Sequence, residues 1–163
     1  MQVRYRLSGV PREAVWYALA EEWCLVRSDD RGRLMGLETR WYSDAVVKAR
    51  RHFWRGRLHG CFAHYHDNGE VARAGTFVWG RRHGIDKTRR CTQRSRVPWD
   101  AHDIVATMLG PLAAFANDVW GINRLYVRGH LRHVTLIARD SSIVVARLIR
   151  ADPRAMRTQR WSW

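Results

Sequence analysis

Three stretches decide how this chain folds: Asp30-Arg31-Gly32-Arg33-Leu34-Met35-Gly36, Trp54-Arg55-Gly56-Arg57-Leu58-His59-Gly60 and Trp79-Gly80-Arg81-Arg82-His83-Gly84. Their shared core is Gly-Arg-x-x-Gly. It begins at Gly32, Gly56 and Gly80, 24 residues apart both times, and takes up six of the twelve glycines. Phe53 and Phe77 keep the same 24-residue step, as do Trp41 and Tyr65. Self-similarity at a fixed period of this length marks a repeat architecture in which each copy is one supersecondary unit.

Outward from the second copy, Cys61-Phe62-Ala63-His64-Tyr65 has the aromatic content and length of a strand. His66-Asp67-Asn68-Gly69 follows, and Asn-Gly is the strongest local signal for a tight hairpin turn. Glu70 to Val78 returns as a second strand, and Gly80 to Gly84 turns the chain again with residues suited to positive φ. Side-by-side hairpins of this kind make one twisted antiparallel sheet.

These residues resemble MORN repeats. Gly56–Gly60, Gly80–Gly84, Tyr65-His66-Asp67-Asn68-Gly69-Glu70 and Gly75-Thr76-Phe77-Val78-Trp79-Gly80 look most like the bacterial variant found in antitoxin-like proteins. The resemblance covers roughly 30–90 and is closest over 53–84; in the first copy Ala45 stands where Gly69 stands in the second. The Gly-x-Gly that often follows in eukaryotic members is absent. The resemblance implies an elongated hairpin sheet that binds proteins or acidic lipids, with no catalytic residues and no cofactor.

Charge points the same way. The net charge is +14, with 29 Lys and Arg against 15 acids. Residues 1–47 balance seven Arg with seven acids, 48–98 carry thirteen cations against three acids, and 99–163 carry nine against five. A net of +10 concentrated in the middle block fits an anionic partner better than a solvated surface, which mixes signs.

The flanks read as other elements. Pro11 to Trp23 has Val15, Leu19 and Trp23 at helical spacing behind Ser8 and Pro11. Asp100 to Trp120 reads as a second helix, with Ile104, Met108, Leu112 and Phe115 as its stripe and Pro111 as a kink. Leu125–Val127, Leu131–Ala138 and Ile143–Ile149 read as strands, with Asp140-Ser141-Ser142 as a turn, and Arg154–Trp163 as a tail. The fold expected is α+β: an antiparallel β-hairpin repeat sheet with a flanking N-terminal helix, a C-terminal helix and a C-terminal β-hairpin. Its divisions are 1–29 (strand and helix), 30–97 (repeat sheet) and 98–163 (helix and hairpin packed on the sheet, then a basic tail).

Chemical signatures are sparse. Met1 to Val10 has no apolar core of a signal peptide, and Ile104 to Ala116 is shorter than the roughly 20 residues of a membrane span. Cys24, Cys61 and Cys91 are odd in number and contain no C-x-x-C pair, which suits a reducing cytoplasmic setting. His59, His64 and His66 lack the further ligands of a metal set. His133-Val134-Thr135 is a single copy of a motif that two-histidine phosphoesterases need twice. Asp29-Asp30 and Glu21-Glu22 read as solvated pairs, and no phosphate-binding loop or nucleophile elbow appears.

The sequence therefore points to a non-catalytic binding module. Its candidate surface is Arg55, Arg57, Arg81, Arg82, Arg89, Arg90, Arg94 and Arg96, with Trp54 and Trp79 beside the turns. Equivalent turns of a hairpin sheet fall on one edge about 10 Å apart, a pitch that suits carboxylates or phosphates. Both Trp either pack into the sheet, as large aromatics usually do, or stand exposed to stack on a partner. An acidic protein is the leading partner, with nucleic acid and an anionic membrane as alternatives. Open sheet edges also permit self-association.

Overall fold

The computed structural model describes residues 8–92, 119–139 and 143–148. They form one antiparallel meander of ten strands in sequence order. The strands are β1 (Val15–Tyr17), β2 (Glu22–Ser28), β3 (Leu34–Tyr42), β4 (Val47–Trp54), β5 (Arg57–Tyr65), β6 (Val71–Val78), β7 (Arg81–Arg89), β8 (Val119–Val127), β9 (His130–Ala138) and β10 (Ile143–Leu148).

The described residues contain no helix, so the α+β expectation is corrected to an all-β sheet. The N-terminal helix expected over Pro11–Trp23 is instead a turn followed by β1 and the start of β2. Val15, Trp16, Tyr17, Trp23 and Val26 are β-branched or aromatic, and such side chains pack well on a pleated surface. The chain reverses at Ala18–Glu21, where Glu21 takes φ 48° and Leu19 is fully exposed. The second helix, Asp100–Trp120, lies outside the described residues except for its last two, Val119 and Trp120, which open β8. The Asp140–Ser142 turn and the Arg154–Trp163 tail also lie outside them.

Each 24-residue unit is a hairpin, and backbone bonds between units repeat with the sequence. The Gly56 N–H donates to the Leu34 carbonyl (2.8 Å), Gly80 to Leu58 (2.7 Å) and Gly129 to Arg82 (2.9 Å). The other ends are tied by side chains: the Tyr42 hydroxyl donates to the Tyr65 carbonyl (3.1 Å), and 24 residues on His66 Nε2 meets the Arg89 carbonyl (3.2 Å). His66 is buried, and its ring serves this clasp.

Alternation along the strands gives the sheet two faces. One carries Val10, Ala14, Trp23 and Trp41, with Trp16, Leu25, Ala45 and Val47 packed against them. The other is a charged face. There Glu22 pairs with Arg40 and Lys48, Glu38 with Arg40 and Arg51, and Asp86 with Arg73 and Arg82, while Arg124 lies 4.0 Å from Asp86. All three carboxylates are buried. Burial works against the Glu22 charge, but the Lys48 hydrogen bond and the Arg40 charge outweigh it and hold that carboxyl below its usual range. Phe62 lies on this face too. Its ring fills the space above Gly75, where a Cβ would come within 2.8 Å of it.

Candidate binding edge

The meander places alternate turns on the same side. One row holds the β2–β3 turn (29–33), Arg55-Gly56, Trp79-Gly80 and Arg128-Gly129. In the last three, both central residues have positive φ: Arg55 48° and Gly56 79°, Trp79 51° and Gly80 77°, Arg128 52° and Gly129 86°. This is the two-residue hairpin that matches strand twist, and its first position favours Asn, Asp or Gly. A bulky L-residue there is strained by about 1–3 kcal/mol. Three such turns use Arg, Trp and Arg.

The same edge carries Arg33, Arg57 and Arg81, each 24 residues from the next. Arg33 is neutralised by Asp29, with Nη2 at 2.7 Å. Arg55, Arg57, Arg81 and Arg128 are exposed, and none has a carboxylate partner among the described residues. The Arg81 side chain lies against Gly129, where a Cβ would meet it at 3.3 Å. Trp54 and Trp79 are 44% and 52% exposed, so the reading that they pack into the sheet gives way to the exposed one. Trp79 is held from behind by His59: the rings meet edge to face at 5.0 Å, and the Trp79 N–H donates to His59 Nδ1 at 3.3 Å. The Arg55 guanidinium lies 5.8 Å from the centre of the Trp54 ring.

The other arginines expected at this surface part company with it. Arg82 turns onto the charged face, binding Asp86 and lying over the Phe77 and Tyr126 rings at 5.7 and 5.5 Å. Arg89 crosses Gly121 and donates to the Thr88 carbonyl (2.9 Å) and Asn123 Oδ1 (3.0 Å), and burial pushes its pKa down. Arg90 closes the opposite edge, its N–H donating to the Trp120 carbonyl. Arg94 and Arg96 lie outside the described residues. Arg128 joins the row although sequence reading missed it. Its signal was an x-Gly pair between two strands, but Gly129 follows Gly80 by 49 residues rather than 24.

A cleft of about 1000 Å³ runs from this edge across the charged face, from Arg81 and Arg128 at its mouth to Phe62, His64 and Arg73 within. The desolvating walls, then the charges of Arg51 and Arg73, push the His64 imidazole below its usual range. Among the described residues no three His, Cys, Asp or Glu converge as metal ligands. Nor is any helix there long and apolar enough to cross a membrane. No protein-family model matches the chain, and no curated protein sequence matches it.

Proposed function

We propose that the protein is a non-catalytic, MORN-like hairpin-repeat module that docks an acidic protein on its arginine-bearing edge. One observation carries the reading: three consecutive turns of that edge hold Arg55, Trp79 and Arg128 in a left-handed conformation that folding alone would give to Asn or Gly. Residues that break the local rule at a shared surface are explained by a partner.

The chemistry of the row favours a protein over a polyanion. Arg and Trp are the side chains that dominate protein interfaces when an anchor is needed. The row also mixes signs, running from Asp29 and Asp30 at one end to Arg81 and Arg128 at the other. A partner of complementary sign pattern is put in register by such a gradient. A nucleic acid, with a phosphate for about every 3.4 Å of axis per strand, gains nothing from the acidic end. The resemblance to MORN repeats supports a scaffold role, and the free thiols of Cys24, Cys61 and Cys91 suit the reducing cytoplasm.

The test is a set of titrations of the full chain at two salt concentrations. The probes are a glutamate-rich peptide, duplex DNA, single-stranded RNA and vesicles with and without phosphatidylserine. The account expects the peptide to bind, and to lose affinity when Arg55, Arg57 and Arg81 become Gln. Tighter binding to DNA or RNA with the steeper salt dependence, or binding to anionic vesicles alone, would replace the acidic protein with that partner.

A further inference from the structure

Positions 38, 62 and 86 are equivalent in the 24-residue repeat and share the charged face, and they hold Glu, Phe and Asp. The two carboxylates each gather arginines: Glu38 takes Arg40 and Arg51, and Asp86 takes Arg73 and Arg82. The middle unit repeats the strands but has no acid. Phe62 occupies that place, and its ring lies down over Gly75 and meets Phe77 at 5.1 Å. Arg51 on β4 is paired with Phe62, and Arg73 on β6 is paired with His64, two residues further along β5. Arg51 spends only its Nε on Glu38, and its two terminal nitrogens donate to nothing among the described residues. Arg51, Phe62, His64, Arg73 and Phe77 all line the cleft.

We propose that the cleft holds an oxyanion site over Phe62 and His64, where a guest carboxylate or phosphate takes the place of the acid that the middle repeat lacks. Arg51 donates through its free terminal nitrogens, as guanidinium groups do to planar oxyanions. Arg73 adds its charge from the far side, and Phe62 with Phe77 offers an apolar floor for whatever carries the anion. Burial first, and then the charges of Arg51 and Arg73, already push His64 away from its protonated form. The site is distinct from the turn row. A carboxylate reaches it either as a free anion or as a side chain of the acidic partner threading past Arg81 and Arg128.

The experiment is an NMR titration of the full chain that follows the His64 ring and Arg51 side-chain signals. Inorganic phosphate and a glutamate-rich peptide are added in separate arms. Saturable shifts of both signals are expected, with the His64 pKa rising on binding. Binding to Arg51→Gln should be at least fivefold weaker, and to Phe62→Glu, which restores the repeat's own acid, at least tenfold weaker. Should Phe62→Glu fail to fold, Arg51→Gln carries the test, since Glu38 keeps Arg40. Movement with phosphate assigns a free oxyanion, and movement with the peptide alone assigns a partner side chain. The double Arg55→Gln, Arg57→Gln variant, whose residues do not line the cleft, separates this site from the edge: phosphate shifts at His64 persist there even if edge docking is weakened. No saturable shift in either arm, or shifts unchanged in Arg51→Gln, overturns the proposal.

Discussion

Along one row of turns the chain reverses on Arg55-Gly56, Trp79-Gly80 and Arg128-Gly129; along the other it reverses over 43–46 and 67–70. In the second row, where Glu21 and Ala45 also take positive φ (48° and 67°), the two later turns are closed by their own side chains. The Asp44 carboxylate accepts from the Val46 N–H at 3.4 Å and the Asn68 side chain from the Glu70 N–H at 3.0 Å, so the turn residues bond their own backbone. Tyr42 and His66 then tie each unit to the next. The first row has bulky side chains in left-handed backbone, exposed tryptophans and uncompensated arginines. The contrast is between turns closed by their own side chains and turns that expose Arg and Trp to solvent.

The largest difference should appear in binding. Replacing Arg55, Arg57 and Arg81 together with Gln removes about 2–3 kcal/mol of edge electrostatics, roughly a 30- to 150-fold loss of affinity for a glutamate-rich peptide. Asp44→Asn with Asp67→Asn on the opposite edge should leave that affinity within about threefold. Calorimetric titration measures both. Equal losses from the two edges would erase the contrast.

Stability should not separate the edges in the same way. Gly56→Ala and Gly69→Ala each force a side chain into positive φ, 79° and 86° respectively, and each should cost about 1–2 kcal/mol in urea unfolding. The reverse change sharpens the point. Ala45 already sits at φ 67° in the place of Gly69, so Ala45→Gly should stabilise by about 0.5 kcal/mol after losing a methyl packed near Trp41.

The smallest effect is a pH response at the Glu70–Thr92 clasp of the second row. Glu70 bonds the N–H and hydroxyl of Thr92, and these bonds, backbone first, lower its pKa to about 2. A carboxyl depressed in the folded state contributes above its ordinary value and loses that contribution as pH falls through the folded one. The Thr92 amide signal should therefore hold steady down to about pH 4 and move with a midpoint near 2. A midpoint near 4.5 would show that the clasp is not made.

Much of this was legible in the chain. The 24-residue step at Gly32, Gly56 and Gly80 carried the hairpins and the alignment of the Arg55–Arg57 and Arg81 turns. The N-terminal strands were hidden because Val15, Leu19 and Trp23 happen to keep helical spacing, while the deciding contact, Trp23 on Trp41, is made by a residue 18 positions away. The fourth turn was hidden by the residues between β7 and β8, which break the period before Gly129. Arg82 and Arg89 lie off the turn row because facing depends on register, and bulges such as the one between Ala74 and Thr76 reset it along the strand pairs. The Glu38–Phe62–Asp86 series could be read from spacing. Its meaning could not, since nothing in the sequence alone says that these positions face a cleft.

The most direct test makes the turn residues choose between fold and partner. In a variant with Asn at 55, 79 and 128, relief of the left-handed strain should raise stability by about 0.5–1 kcal/mol per turn. Affinity for the glutamate-rich peptide should fall at least tenfold. Paired melting and titration curves moving in opposite directions are the predicted result; a variant that melts lower, or binds as tightly as the parent, contradicts the account.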